Sequence, residues 1–156
     1  MYKSTAQPPA VAYVRGGENT PNLYGDVKFY QKREGVLVVA NVFNLPQTNA
    51  SGFFALHIHE GDTCAGEEFS DTGNHYTPEE APHPNHEGDL PPLLMCNGGA
   101  YLAVMTDRFT VDEIVGRTVV IHGGPDDFVS QPSGNAGTKI ACGVIKRDLN
   151  TKKTTP

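Results

Sequence analysis

Apolar and polar residues alternate along several short stretches of this chain. In Leu23–Gln31, Val27 and Phe29 fall on one side while Asp26 and Lys28 fall on the other, the period of two that a half-buried strand requires. Valine-rich Val36–Leu45 follows across the Glu34-Gly35 turn and predicts the second strand of a hairpin. Ala10–Arg15, Ala100–Met105, Arg117–His122 and Thr138–Lys146 read as further strands, and Thr106–Gly116 has room for one helical turn. Phe53–His59 alternates with a difference. Phe54, Leu56 and Ile58 suit a core, whereas Phe53, Ala55, His57 and His59 share the other face. Two imidazoles roughly 6–7 Å apart at the backbone are thereby aimed at one outside surface. Glu60–Leu94 and Gly123–Gly137 show almost no strand pattern and are expected to be long loops. With 17 glycines and 12 prolines among 156 residues, the sum is an all-β sandwich of about eight short strands with two long functional loops.

Nothing in the pattern suggests a repeat, a heptad or a linker. Residues 10–147 are expected to form one domain, with 1–9 as a flexible lead and 148–156 as a charged, flexible tail. The net charge of −6 argues against a nucleic-acid partner, which needs a basic footprint. An anionic substrate would have to be drawn by a local positive site. No apolar run approaches the roughly 18 residues of a membrane span. Residues 1–9 are polar and lack the apolar region of a secretory signal, so a cytoplasmic location is expected, with an exported mature form as the alternative. The three cysteines, Cys64, Cys96 and Cys142, permit one bridge and one free thiol.

The candidate chemistry sits in the loops. Five of the six histidines fall between His57 and Asp89, and the sixth, His122, ends a strand. His83, His86 and Asp89 follow at intervals of three, and imidazole with carboxylate suits zinc or copper, not calcium or magnesium. Pro78, Pro82 and Pro84 stiffen this segment and lower the entropy lost when it closes around an ion. A loop as long as 60–94 should be functional or held by something other than a core.

These residues resemble the copper/zinc superoxide dismutases. The likeness is carried by His57-x-His59, Gly73-x-His75, His83-x2-His86-x2-Asp89, Val120-Ile121-His122, Asp126, and the run from Gly134-Asn135-Ala136-Gly137 through Ile140-Ala141-Cys142-Gly143-Val144-Ile145. It spans residues 10–147 in order, and the short His83-to-His86 spacing is similar to bacterial members. The resemblance implies a Greek-key barrel of eight strands that converts superoxide to dioxygen and hydrogen peroxide by cycling Cu(II) and Cu(I). Copper would be held by His57, His59, His75 and His122, and zinc by His75, His83, His86 and Asp89. Six histidines and one aspartate can give four ligands to each of two ions only if one, His75, is shared. Redox-silent zinc would order the loop. Asp126, or its neighbour Asp127, would fix the tautomers of a copper and a zinc ligand; the plainer role for this pair is to cap a turn. Cys64 and Cys142 would form the family's disulfide, leaving Cys96 as a small apolar residue at a strand edge.

The departure is Lys139, where most members carry an arginine that attracts and docks superoxide. Lysine keeps the charge but lacks the planar fork of donors. The expected partners are superoxide and a second copy in a homodimer, with no nucleic acid and no membrane. Lys139 keeps a rival reading in view, a metal-binding relative with little turnover. A zinc hydrolase is disfavoured, because four protein ligands leave zinc no open position.

Overall fold

A computed structural model describes residues 9–149 of the chain. The expected flexible lead and tail lie outside those residues, except for Pro9, Asp148 and Leu149. The Asp148 N–H donates to the Pro9 carbonyl at 2.7 Å, so the two ends of the described chain meet.

Among the described residues nine strands form: β1 (Ala10–Gly16), β2 (Tyr24–Gln31), β3 (Val36–Phe43), β4 (Phe53–Phe54), β5 (Leu56–His59), β6 (Leu93–Leu94), β7 (Ala100–Thr106), β8 (Thr118–His122) and β9 (Lys139–Arg147). Seven make one antiparallel sheet in the order β5-β8-β9-β1-β2-β3-β7. The chain runs β1-β2-β3 as a meander, crosses to the far edge for β5, and returns to place β7 beside β3. It crosses again to β8, and β9 fills the place between β8 and β1. These crossings are a Greek key. β4 pairs with β6. Because β4 runs into β5 and β6 leads through a Cys96–Gly99 turn into β7, this short pair joins the two edges and curls the sheet toward a barrel.

The period of two explains the core. Val36, Val38, Ala40 and Val42 of β3 point inward with Val27 and Phe29 of β2 and Phe54, Leu56 and Ile58. The expected helical turn is α1 (Val111–Ile114), and the Glu113 carboxylate accepts from the Thr110 N–H at 2.6 Å to cap it.

Two expectations change. The predicted strand Phe53–His59 is broken at Ala55, whose N–H donates to Gly124 O and whose carbonyl accepts from the His122 N–H, both at 2.9 Å. Beyond Phe53, which stays exposed, its second face is not a solvent surface either, because the two long loops fold over it and Ala55, His57 and His59 are buried.

The loop after β5 is anchored rather than free. It contains a 3-10 segment (Glu67–Thr72) and returns along the open edge of β5. The Tyr76 N–H donates to Ile58 O at 2.8 Å, and the Ile58 N–H donates to Gly88 O at 2.9 Å. A side chain at Gly88 would strike Ile58 O, its Cβ falling 2.2 Å away, so glycine is required for this approach. Cys64 and Cys142 are disulfide-bonded across 78 residues of sequence, a loop length for which chain entropy predicts stabilisation on the order of 4 kcal/mol. Cys96 is an exposed free thiol. No helix among the described residues is long and apolar enough to cross a membrane.

Candidate metal centre

Two faces of the same architecture deliver the donors. On the sheet, antiparallel pairing sets His57 opposite Val120 and His59 opposite Thr118, and His122 ends β8 on the same side. From the loop, the backbone pairing along β5 brings His75 beside His59 and Asp89 beside His57. The second loop, entered after His122, adds Asp126. All six histidines, Asp89 and Asp126 are at most 8% exposed.

The donors fall into two groups that share one residue. His57, His59, His75 and His122 bring ring nitrogens within 4.8 Å of one another, and so do His75, His83, His86 and Asp89 with their ring nitrogens and carboxylate oxygen. His59 Nε2 and His122 Nε2 face each other at 3.2 Å. His75 Nδ1 meets Asp89 Oδ1 at 2.7 Å, while its Nε2 is buried without a partner. His57 Nδ1 and His83 Nδ1 are likewise buried without a hydrogen bond. His83 Nδ1 lies 3.0 Å from Asp89 Oδ2, an ion-pair distance without hydrogen-bond geometry. Buried ring nitrogens left unpaired in this way are costly in a protein interior and are what a metal ligand presents. The donor set fits two transition-metal ions.

The outer partners orient these rings. Asp126 Oδ2 accepts from His57 Nε2, and Oδ1 from His83 Nε2, both at 2.8 Å. One carboxylate therefore ties the two groups together. A Cβ at Gly134 would fall 2.1 Å from Asp126 Oδ1 and 2.6 Å from His83 Nε2, so this glycine makes room for the contact. Asp127 performs the plainer task, accepting from the N–H groups of Val129 and Ser130 in the turn. Asp126 also accepts from the Phe128 N–H at 2.7 Å, so it orients the two rings and shares the turn-capping role with Asp127. His59 Nδ1 donates to Gly73 O at 2.9 Å and His122 Nδ1 to Gly137 O at 3.2 Å.

Burial shifts the titrations. It raises the carboxyl pKa of Asp126 in itself, but hydrogen bonds from His57 and His83 outweigh it and hold the group well below the usual range. His59 is pushed down to about 2 and His122 to about 3, by burial first and then by neighbouring imidazoles. Both rings stay neutral, the form that binds metal. In protein stripped of metal by a chelator, the unfolded chain protonates these rings below about pH 6.5 and the folded chain does not. Stability is therefore expected to be complete above pH 6.5 and to fall as pH drops toward 3, by about 1.4 kcal/mol per pH unit for each ring. Urea unfolding of the stripped protein at several pH values checks this; a flat profile would contradict it.

A cleft of about 400 Å³ opens onto the first group, lined by His59, His75, His122, Gly137 and Lys139 among others. Register explains why Lys139 stands here. β8 and β9 slip between Ile121 and His122, so Ile140 is skipped and Lys139 pairs with His122. Its Nζ donates to Thr72 Oγ1 at 2.8 Å and to Gly73 O at 3.0 Å. Burial lowers its pKa from the ordinary lysine value.

The six histidines, Asp89, Asp126 and Lys139 are thus brought to one region, while Asp127 serves its own turn and Cys64 and Cys142 form the bridge to β9. Two further residues were not foreseen. Thr72 holds Lys139, and Arg108 Nη1 reaches the carbonyls of Pro84, His86 and Asp89 at 2.8, 3.2 and 3.3 Å, gripping the backbone that carries two donors. Arg108 reaches only backbone acceptors, which exist at every residue, and Thr72 meets Lys139 through a single hydroxyl 67 residues away, so no pattern marked either.

Residues 23–145 match the family described as copper/zinc superoxide dismutase. The chain is 35% identical over 137 residues to superoxide dismutase [Cu-Zn] 1 of Aquifex aeolicus, covering 78% of this chain and 79% of the relative. It is 32% identical over 139 residues to superoxide dismutase [Cu-Zn] of Photobacterium leiognathi, covering 78% of each. It is also 34% identical over 137 residues to the extracellular enzyme of Mus musculus, covering 80% of this chain and 54% of that one. With a Greek-key sheet, two clusters of buried donors and a match over most of its length, the chain belongs to the copper/zinc superoxide dismutase family.

Proposed function

We propose that this protein is a superoxide dismutase, with copper held by His57, His59, His75 and His122 and zinc by His75, His83, His86 and Asp89. The observation that carries the reading is the pair of donor clusters sharing His75, with a cleft opening on the first. The chemistry supplied by bound copper is one-electron exchange, so that one superoxide is oxidised to dioxygen and a second, with two protons, is reduced to hydrogen peroxide.

The chain's own groups do the rest. Lys139 supplies a positive charge at the cleft in a protein of net charge −6, and attracts the anion to His59 and His122. His75 Nε2, buried and without a hydrogen bond, is the atom that would carry a proton for the peroxide product when it is not bound to copper. Asp126 keeps the His57 and His83 rings in the tautomer that leaves Nδ1 free.

A superoxide-consumption assay on protein loaded with copper and zinc tests the reading. Turnover with one copper and one zinc per chain is expected. A protein that takes up zinc, refuses copper and consumes no superoxide would leave only the metal-binding alternative. For Lys139→Gln, kcat/KM is expected to fall by about tenfold or more and to lose most of its dependence on ionic strength, because a charge in the approach path is removed. Lys139→Arg is expected to raise activity at physiological salt by restoring a fork of donors. Rates that ignore both substitutions would mean that position 139 does not line the path.

A further inference from the structure

Thr72 belongs to neither donor cluster, yet it is fully buried and its hydroxyl is used twice. Its Oγ1–H donates to Phe69 O at 2.8 Å, and the same oxygen accepts from Lys139 Nζ at 2.8 Å. The Phe69 carbonyl that receives the proton lies in a sharply bent stretch, where Glu68 and Phe69 take left-handed φ values of 50° and 60°. With its proton committed there, the hydroxyl presents a lone pair to the ammonium. Gly73 O takes a second ammonium proton at 3.0 Å. An ammonium has three donors. Two are engaged behind Lys139, and the third is left for an anion in the cleft that Lys139 lines.

An arginine holds its place through a rigid planar fork, whereas a lysine is a point charge on a flexible stem. We infer that Thr72 is a positioning residue that compensates for this: its hydroxyl, with the Gly73 carbonyl, pins the Lys139 ammonium so that one directed donor faces the cleft. The inference rests on the reading of Lys139 as the group that docks superoxide.

The test uses copper- and zinc-loaded protein. Thr72→Val exchanges the hydroxyl for a methyl of similar volume. Its kcat/KM is expected to fall by about three- to fivefold at every ionic strength, with an unchanged salt slope, because the charge stays and only its position is lost. Thr72→Ser should restore the rate, and Thr72→Ala makes the same test if the valine variant does not fold. In a Lys139→Arg background, Thr72→Val should cost less than about twofold, since the fork supplies its own geometry. In the copper-reduced protein, the 15N signal of the Lys139 ammonium should be sharp with threonine or serine at position 72 and broadened away with valine. Equal losses in the lysine and arginine backgrounds would assign Thr72 to holding its own segment and overturn the inference, as would a Thr72→Val rate equal to the parent's. The two failures are distinguishable. If Lys139→Gln leaves the rate unchanged, the docking reading itself falls; if it slows the enzyme while Thr72→Val does not, only the role of Thr72 falls.

Discussion

Replacing His75 with alanine is expected to cost both metals at once. His75 is the one residue in both donor groups, and its two nitrogens face different ways. Nδ1 lies 2.7 Å from Asp89 Oδ1, within the set completed by His83 and His86. Nε2 is buried and unpaired, and the ring packs on the other set, with centroids 3.9 Å from His57 and 4.8 Å from His59. Removing the ring takes a ligand from each ion. Loss of a residue that merely orients a ligand costs about 10–100-fold in affinity, so loss of a shared ligand should cost each metal on the order of 100-fold or more. Competition against a chromophoric chelator measures this separately for zinc and copper. His86→Ala is the control: it sits in the second group alone and should weaken zinc while largely sparing copper. A His75→Ala protein that binds either metal as tightly as the parent would refute the shared ligand.

The parts of this fold that could be read in advance are those where the chain repeats a simple period or uses a rare residue type. Val27 and Phe29 against Asp26 and Lys28 announced β2, and the valines of β3 announced its inner face. Histidine is scarce, so the clustering between His57 and Asp89 carried the site, and the resemblance supplied its division between two ions. What failed to show has physical reasons. β6 is two leucines after a pair of prolines and has no period to detect. The break at Ala55 arises because His122 and Gly124, far along the chain, take its backbone hydrogen bonds. The histidine face of β5 was expected outside because alternation says which residues share a face, not what covers it. Here the cover is the 60–92 loop, held down by backbone bonds to Ile58 and by the Cys64–Cys142 bridge. Thr72 and Arg108 act on neighbours that are distant in sequence, and only the folded chain brings them together.

Substitutions at Asp126 should separate the two halves of the centre more finely than loss of any ligand. The carboxylate accepts from His57 Nε2 through Oδ2 and from His83 Nε2 through Oδ1. Each bond puts the ring proton on Nε2 and leaves Nδ1 bare, and those two Nδ1 atoms are among the buried nitrogens without a hydrogen bond. Asp126→Ala removes both constraints, and affinity for each metal is expected to fall by about 10–100-fold. Asp126→Asn acts differently because its two ends are no longer alike. The Oδ1 position also accepts from the Phe128 N–H at 2.7 Å, so it takes two donors and selects the amide oxygen. The amide NH2 is then left facing His57 Nε2, where a donor meets a donor. His57 must give up its Nε2 proton to accept, which moves a proton to Nδ1 and blocks that nitrogen. His83 keeps its acceptor and its tautomer. Asp126→Asn is therefore expected to weaken copper by about tenfold or more and to leave zinc within about twofold. Titration of each metal into the two variants decides it: equal losses of both metals in Asp126→Asn, or a zinc-selective loss, would show that the carboxylate does not set the His57 tautomer.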